Sequence, residues 1–458
     1  MSNICIHKPE KKFRILKFDY LIIGAGISGL SFADTLLRES EAKIGIVDRY
    51  PYPGGTWNST YAHAKLVHDP TRFGLPSFTI AQYLAASQDI SNHPSISQAD
   101  ILDYFGVLMR DHLLSTGRVH YFPNSEHLGN GLIRNQTTGR TTRFQVGRKI
   151  VDTAKAANWS KTEHVPCLRF DKNIRVIGPH VLATLPPALV KSHSSICILG
   201  AGGAATDSAL YLLSLGAPPD SIAWVRPRES WFLDPAMTGP LMALDLARLG
   251  RQASTGQELL AQLEASQHVS RISTEVAPEM YHADVRPVPE IASLRAIKRV
   301  IRKGHAHRIS EIGLMLDSGI EPMPPRTLYV DCTAGPVLHR KPPRIFADTQ
   351  IIVQACCLAD PGFSARMIAA IEVMEPATET KNALCVPIAR PDKPLDLLES
   401  LQTSLSNLER WRSHLGLRHW LTQNQLDSTL IPMSVLRTTS YKLAQIVQSS
   451  SLSSMNER

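Results

Sequence analysis

Residues 18–48 read FDYLIIGAGISGLSFADTLLRESEAKIGIVD, and this stretch decides the fold. It opens with a short apolar, β-branched run, Phe18 to Ile23, and passes directly into the turn GAGISG, Gly24 to Gly29. Apolar residues then recur at helical spacing, and a second apolar run, Lys43 to Val47, ends at Asp48. A strand, a glycine-rich turn, a helix and a second strand within about 30 residues predict a βαβ unit.

The glycines of this turn have the spacing GxGxxG. Gly24 allows the tight turn, Gly26 lets the backbone approach a pyrophosphate, and Gly29 lets the helix pack closely on the strand. The helix N-terminus offers unpaired N–H groups to phosphates, and Asp48 is placed to accept hydrogen bonds from an adenosine ribose. The pattern therefore predicts a bound dinucleotide; the alternative is a tight turn without a ligand.

A second unit of the same kind begins about 175 residues later. The strand Ser195 to Leu199 leads into GAGGAATD, in which Gly200, Gly202 and Ala205 give the spacing GxGxxA. A helix and the strand Ser221 to Val225 follow. The sequence thus predicts a second dinucleotide-binding domain rather than a tandem repeat of a small motif.

The second strand of this unit ends in Arg226, Pro227 and Arg228, where the first unit has an acid. A cation at this position suits the 2′-phosphate of NADPH, so we expect NADPH rather than NADH, with Arg226 and Arg228 as its ligands. The alternative is that both arginines belong to an exposed loop.

The composition describes an ordinary folded protein of 458 residues with a formal net charge of +8. Basic residues cluster only between Lys298 and Arg308, without interleaved aromatic residues, which does not indicate a nucleic-acid site. The seven cysteines show no CxxC spacing, so neither a zinc site nor a flavin-linked dithiol is expected. With no secretory signal and no run of about 18 apolar residues, we expect a cytoplasmic protein without a membrane span. The sequence does not reveal the oligomeric state.

We therefore predict an α/β fold with two Rossmann-like dinucleotide-binding domains, the second inserted in the first, followed by C-terminal helices. The predicted boundaries are 17–165 and 326–394 for the first domain, 166–325 for the second domain with a helical insertion, 395–448 for the helical region, and 449–458 for a disordered tail.

The segment Tyr50 to Trp57, YPYPGGTW, follows the first unit directly. With the preceding turn it resembles the FAD-binding start of the flavin-containing monooxygenases and Baeyer–Villiger monooxygenases, and the second turn resembles their NADPH site. Thr327 to Ala334 is similar to their strand that returns to the FAD domain. Pro361 to Glu372 is similar to their late helix whose N-terminus points at the flavin, with Ser364 as N-cap.

The resemblance implies FAD and NADPH as cofactors and assigns residues to them. Besides the two turns, Asp48, Arg226 and Arg228, the residues expected at the cofactors are Arg49, Gly55, Thr56, Trp57, Ala334 and Ser364. Lys65 and His68 lie just after GGTW and are the candidate catalytic residues, because a fixed cation or imidazole near a flavin can stabilise anionic species. Each could instead be an ordinary loop residue.

One departure from these monooxygenases lies before the second turn. Their fingerprint FxGxxxHxxxW/Y corresponds here to residues 170–187, where Phe170, Gly178 and His180 occur at other spacings. The expected function is NADPH-dependent monooxygenation of a small organic substrate with dioxygen. A flavin dehydrogenase, reductase or oxidase is the alternative that this departure favours, and a non-catalytic redox-sensing module is a third, weaker reading.

Overall fold

The computed structural model describes residues 16–67, 69–86, 96–154, 168–193, 195–238, 242–333, 341–358, 361–424 and 431–456. The strands are β1 Leu16–Ile23, β2 Ile44–Val47, β3 Gly74–Leu75, β4 Phe78–Thr79, β5 Val119–Phe122, β6 Ser125–Gly129, β7 Leu132–Asn135, β8 Thr141–Asp152, β9 Arg169–Phe170, β10 Val176–Ile177, β11 Ile196–Leu199, β12 Ile222–Val225, β13 Ser230–Leu233, β14 Val269–Ser270, β15 Met280–Val285, β16 Arg299–Ile301, β17 Ala306–Ser310, β18 Gly313–Leu316, β19 Gly319–Glu321, β20 Leu328–Asp331 and β21 Gln350–Ile352. The α-helices are α1 Ile27–Glu39, α2 Ile80–Ala86, α3 Gln98–Val107, α4 Pro179–Leu182, α5 Pro187–Ser192, α6 Gly203–Ser214, α7 Met242–Gly250, α8 Gly256–Ala265, α9 Val288–Leu294, α10 Pro361–Met374, α11 Thr378–Leu384, α12 Pro394–Ser413, α13 Leu415–Gln423 and α14 Met433–Asn456.

The first sheet contains the predicted βαβ unit. Strands β5, β2, β1, β8 and β21 lie side by side in parallel, and β6 and β7 extend the sheet as an antiparallel hairpin on the start of β8. All four residues of β2 are buried, as expected for a parallel strand covered on both faces. Helices α1 and α10 pack together against this sheet, and their apolar residues belong to one core.

The second sheet is fully parallel, with the order β10-β20-β11-β12-β16. Every residue of β11 and β12 is buried, and helix α6 packs on these strands. Since β11, α6 and β12 form the second βαβ unit, the carboxyl ends of these strands meet at the edge that carries the second glycine turn. The predicted α/β fold with two parallel-sheet domains is confirmed.

The remaining elements build a third core. Helices α7 and α8 pack against the C-terminal helices α12 and α14, with leucines at the contact, so the helical insertion and the chain end fold together. Two small sheets, β14-β13-β15 and β19-β18-β17-β9, complete the second half of the chain. Within the described ranges, no helix combines the length and the apolar character that crossing a membrane requires.

Two predictions about chain segments are wrong. Strand β20 lies in the second sheet between β10 and β11, and the chain returns to the first sheet only at β21. The sequence of a short apolar strand does not indicate which of two parallel sheets it joins. The serine-rich end was predicted to be a disordered tail from residue 449, but α14 continues to Asn456. The Ser450 hydroxyl accepts a hydrogen bond from the Gly256 amide at 2.9 Å, so this part of the helix is anchored on α8.

Candidate functional site

The first glycine turn has the conformation that a phosphate requires. Gly24 lies at φ +111°, where a residue with a side chain would be strained. A Cβ on Gly29 would collide with the carbonyl oxygen of Gly24, so only glycine lets α1 approach the strand this closely. Gly26 immediately precedes α1 and provides no side-chain cap, and the first helical turn holds no acid. The helix N-terminus is therefore available to an anion, and the residues present fit a dinucleotide pyrophosphate.

Asp48 is tied to this turn more tightly than the sequence indicates. Its carboxylate accepts hydrogen bonds from the Ala25 amide at 2.5 Å and from the Tyr50 amide at 2.8 Å. Burial raises the pKa of Asp48, and the two backbone hydrogen bonds oppose this rise. Asp48 thus holds the glycine turn in shape, besides standing at the end of β2 where the ribose is expected.

The GGTW segment closes over the same turn. The Gly54 amide donates to the Ala25 carbonyl at 2.9 Å, and a Cβ on Gly55 would lie 2.8 Å from the Cα of Gly26. The two backbones therefore touch, which explains the paired glycines. Trp57 is half-buried against the core of the first sheet. Arg49 and Thr56, also predicted at the cofactor, are exposed nearby in sequence.

The second glycine turn is built in the same way but is more open. Gly200 lies at φ +115°, and its Cβ would come within 2.9 Å of the Cys332 carbonyl oxygen. A Cβ on Gly202 would meet no described atom within 4 Å, so space for a pyrophosphate remains beside the uncapped start of α6. Ala205 is fully buried in the helix–sheet core, as a small third residue allows.

The end of β12 differs from the prediction. Arg226 is completely buried, with its guanidinium carbon 4.6 Å from the centre of the Trp224 ring. It forms an ion pair with Glu229 at 3.2 Å, and the other carboxylate oxygen of Glu229 accepts from Arg302 at 2.8 Å. Arg226 is therefore an internal brace and does not face a ligand as predicted, whereas Arg228 is exposed and Arg302 is about one-third exposed.

A buried polar cluster joins the two halves of the molecule. Tyr61, from the loop after GGTW, donates to Asp207 on α6 at 2.6 Å, and Arg286 binds the other oxygen of Asp207 at 2.6 Å. Arg286 also pairs with Asp284 at 3.1 Å and with Glu290 at 3.3 Å. Burial acts to lower the pKa of Arg286, but the surrounding carboxylates outweigh it and raise that pKa. For the acid Asp284, burial has the opposite effect and raises the pKa.

His63 extends this contact as an aromatic stack. Its ring lies between Tyr61 and Tyr211, with ring centres 4.4 and 4.6 Å apart. Its Nε2 is 3.5 Å from the Ser208 hydroxyl. Burial lowers the pKa of His63 to about 4, partly opposed by Asp207, so the imidazole is neutral at physiological pH. A neutral ring of this kind is a rigid spacer between the first domain and α6.

Of the two candidate catalytic residues, the structure describes Lys65, which is not part of this cluster. Lys65 is exposed, and its backbone forms an isolated bridge with Ser97. His68 and Ala334 lie outside the described residues. Ser364 is not the N-cap of α10, because the helix begins at Pro361; its buried hydroxyl instead accepts from the Cys356 amide at 3.2 Å. The sequence pattern could not locate the cap to within three residues.

The residues that sequence reasoning missed come from distant segments. Tyr61 and His63 belong to the loop after GGTW, and Arg286 and Glu229 belong to no recognisable motif. Among these residues, Asp207 is the one that the sequence could best have marked as functional, because it lies directly after the second glycine turn. Nothing in a single sequence shows that residues 61, 207 and 286 meet.

Comparison with known proteins agrees with this architecture. A family model described as an NAD(P)-binding Rossmann-like domain matches residues 22–87. The chain is 32% identical over 440 residues to the uncharacterized protein Rv2000 of Mycobacterium tuberculosis, covering 92% of this chain and 80% of that protein. The chain belongs to the Rv2000 family. The protein Mb2023 of Mycobacterium bovis matches the Rv2000-family chain at the same identity and coverage.

Solved structures give weaker similarities to this Rv2000-family protein. A flavin-containing monooxygenase from Stenotrophomonas maltophilia has a TM-score of 0.49 at 15% identity, covering 81% of this chain and 100% of its own. The open structure of cyclohexanone monooxygenase has a TM-score of 0.49 at 12% identity, covering 95% and 98%. The predicted Rossmann-like nucleotide-binding fold is confirmed by the family model and the two parallel sheets.

Proposed function

We propose that this protein is an FAD- and NADPH-dependent oxidoreductase that inserts one oxygen atom from dioxygen into a small organic substrate. One observation carries the proposal. The loop that follows the first phosphate-binding turn contacts, through Tyr61 and His63, the helix that begins at the second turn. Dinucleotides bound at the two turns therefore reach a common region between the domains, as hydride transfer from one to the other requires.

The first turn is assigned to FAD and the second to NADPH. When bound, FAD would supply the hydride-accepting and oxygen-activating chemistry, with NADPH as the hydride donor. Gly24, Gly26 and Gly29 would hold the FAD pyrophosphate and Asp48 would keep the turn closed. Gly200, Gly202 and Ala205 would hold NADPH, and the protein's task is to orient both cofactors and exclude water.

The preference for NADPH is assigned to Arg302 and Arg228 instead of Arg226. Arg302 directly follows β16, the parallel neighbour of β12, so it stands at the same sheet edge as the second turn. Both oxygens of Glu229 are occupied by Arg226 and Arg302, so this acid is not free to accept the ribose hydroxyls of NADH. Together, Arg226, Glu229 and Arg302 carry one net positive charge, which suits a 2′-phosphate.

The interdomain cluster is assigned a role in positioning. Arg286 is held by three carboxylates. Tyr61, from the first domain, donates a hydrogen bond to the nearest of them, Asp207. This arrangement fixes a guanidinium close to the start of α6, since Gly203 lies next to Asp284 and Arg286. Three carboxylates around one guanidinium leave the cluster with an excess of negative charge, so its role is to hold the Tyr61 loop against α6.

The competing reading is an oxidase or dehydrogenase, which the shifted spacing of Phe170, Gly178 and His180 favours. The experiment that separates them measures NADPH consumption, hydrogen peroxide release and product formation with isotopically labelled dioxygen, over a panel of ketones, sulfides and amines. Monooxygenation predicts that an accepted substrate lowers peroxide release and gains one labelled oxygen atom. An equal yield of peroxide and oxidised NADPH with every substrate would contradict oxygen insertion.

A further inference from the structure

A surface pocket of about 530 Å³ lies away from both glycine turns. It opens beside the end of α10 and the middle of β1 and β8, whereas the turns lie at the carboxyl edges of the two sheets. Its lining is strongly polar. The lining residues are Tyr20, Gly147, Arg148, Lys149, Asp348, Glu372, Val373, Met374, Glu375, Pro376 and Lys381.

Four buried side chains form the inner wall of this pocket. The ammonium groups of Lys149 and Lys381 both bind Oε2 of Glu372, at 3.0 and 2.6 Å, and the Tyr20 hydroxyl donates to Oε1 at 3.2 Å. All four residues are less than one-tenth exposed. Two buried cations therefore share one carboxylate, and both oxygens of that carboxylate are occupied.

The buried part of this wall, with two lysines and one glutamate, carries one net positive charge. Glu372 compensates one of the two lysines, and Arg148 adds a third cation at the exposed side of the pocket. The other two acids of the lining lie outside this buried group: Glu375 pairs with His414 at 2.9 Å, and Asp348 is exposed, as Arg148 is. Burial lowers the pKa of Lys381; the hydrogen bond to Glu372 opposes this fall, and the neighbouring Lys149 adds to it.

The geometry of the two ammonium groups suits a bridging oxyanion. Because both bind the same oxygen, the two nitrogen atoms are within about 6 Å of each other, a span that two oxygens of one phosphate or carboxylate can bridge. The bond to Glu372 uses one of three N–H donors on each lysine. The Phe346 ring lies 5.9 and 5.8 Å from the two nitrogens and offers only weak compensation.

We propose that this pocket binds a small oxyanion, a phosphate or carboxylate group, with Lys149, Lys381 and Arg148 as its ligands. A purely structural ion-pair network would match each buried charge, because an unmatched buried cation costs several kcal/mol. An anion entering from solvent supplies the missing charge and takes up the remaining donors. The site is independent of the oxidoreductase function proposed above.

Isothermal titration of the purified protein with inorganic phosphate and with malonate tests the site. We expect saturable binding of at least one probe, and the better probe tells whether phosphate or carboxylate is preferred. Lys381→Met should weaken it at least about tenfold, the loss of one charge-assisted hydrogen bond. Arg148→Gln, at an exposed position, should weaken it several-fold without disturbing the fold.

Arg143→Gln is the matched control, since Arg143 is an exposed cation on the same strand but does not line the pocket. It should bind the probe like the wild type. If Lys381→Met does not fold, the affinity of Arg148→Gln for the probe still tests the site. The proposal is overturned if neither probe binds saturably at tens of millimolar, or if binding is unchanged in Arg148→Gln and in folded Lys381→Met. Unchanged binding would place the anion at a glycine turn.

Discussion

The two glycine turns share one construction but differ in how they are enclosed. At the first turn, Asp48 binds the Ala25 amide and Gly55 touches Gly26, so later chain segments close over the turn. At the second turn, a Cβ on Gly202 would meet no described atom within 4 Å. An enclosed site favours slow release and an open one favours exchange. On the function proposed above, this difference suits a resident cofactor at the first turn and a cofactor that leaves after each turnover at the second.

The largest expected effect comes from placing the same methyl group at both turns. Gly26→Ala puts a Cβ 3.2 Å from the Gly55 Cα and into the pyrophosphate path, so flavin affinity should fall at least about 100-fold. Gly202→Ala should keep its flavin and lose about tenfold in NADPH affinity. Flavin absorbance after purification and NADPH titration measure the two outcomes.

Gly106→Ala is the control for both variants, because its Cβ would meet no described atom within 4 Å and it lies in α3. It should leave both affinities unchanged. A Gly26→Ala protein that purifies fully yellow would break the contrast between the turns.

The second largest effect concerns the cluster that links the turns. Arg286→Met leaves Asp207, Asp284 and Glu290 without their shared cation, which should cost about 3–5 kcal/mol near neutral pH. Burial raises the pKa of Asp284, and the variant removes the guanidinium that opposes this rise, so the loss should shrink as the pH falls. Urea unfolding at about pH 5 and about pH 7.5 checks this.

Arg308→Met is its control, as Arg308 forms an exposed ion pair with Asp171 at 2.7 Å. This variant should lower the free energy of unfolding by no more than about 1 kcal/mol at both pH values. An equal cost for Arg286→Met and Arg308→Met would show that the cluster does not hold the domains together.

A third effect is a pH dependence carried by His63. Its folded pKa of about 4 lies below its unfolded value of 6.5, so the unfolded state binds the proton first and stability is lost as the pH falls through this window. At about pH 5 the loss should be about 2 kcal/mol. His63→Phe keeps the stack with Tyr61 and Tyr211 and should remove this part of the acid destabilisation. An unchanged pH profile of the unfolding free energy in His63→Phe would refute the assignment.

The smallest effect distinguishes the strand ends of the two units. Arg302→Ala should weaken binding of adenosine 2′,5′-bisphosphate about tenfold and leave 5′-ADP binding unchanged. Lys298→Ala, an exposed cation close in sequence, should change neither. Equal weakening of both ligands by Arg302→Ala would mean that Arg302 does not read the 2′-phosphate.

The sequence predicted both turns because their chemistry is local: each needs glycines at fixed spacing between a strand and a helix. It misplaced β20 because short apolar strands carry no mark of the sheet that they join. It assigned Arg226 to the ligand because burial is not visible in one sequence, and Glu229, the residue that keeps Arg226 buried, lies just beyond the motif. The cluster of Tyr61, Asp207 and Arg286 depends on tertiary folding alone.

The most direct test of the account is anaerobic titration of the purified protein with NADPH, followed by visible absorbance. The account predicts that the protein purifies with bound flavin, that NADPH bleaches its yellow absorbance, and that NADH does so with much lower affinity. A protein that cannot be loaded with flavin, or whose flavin is not reduced by NADPH, would contradict the assignment of the two turns.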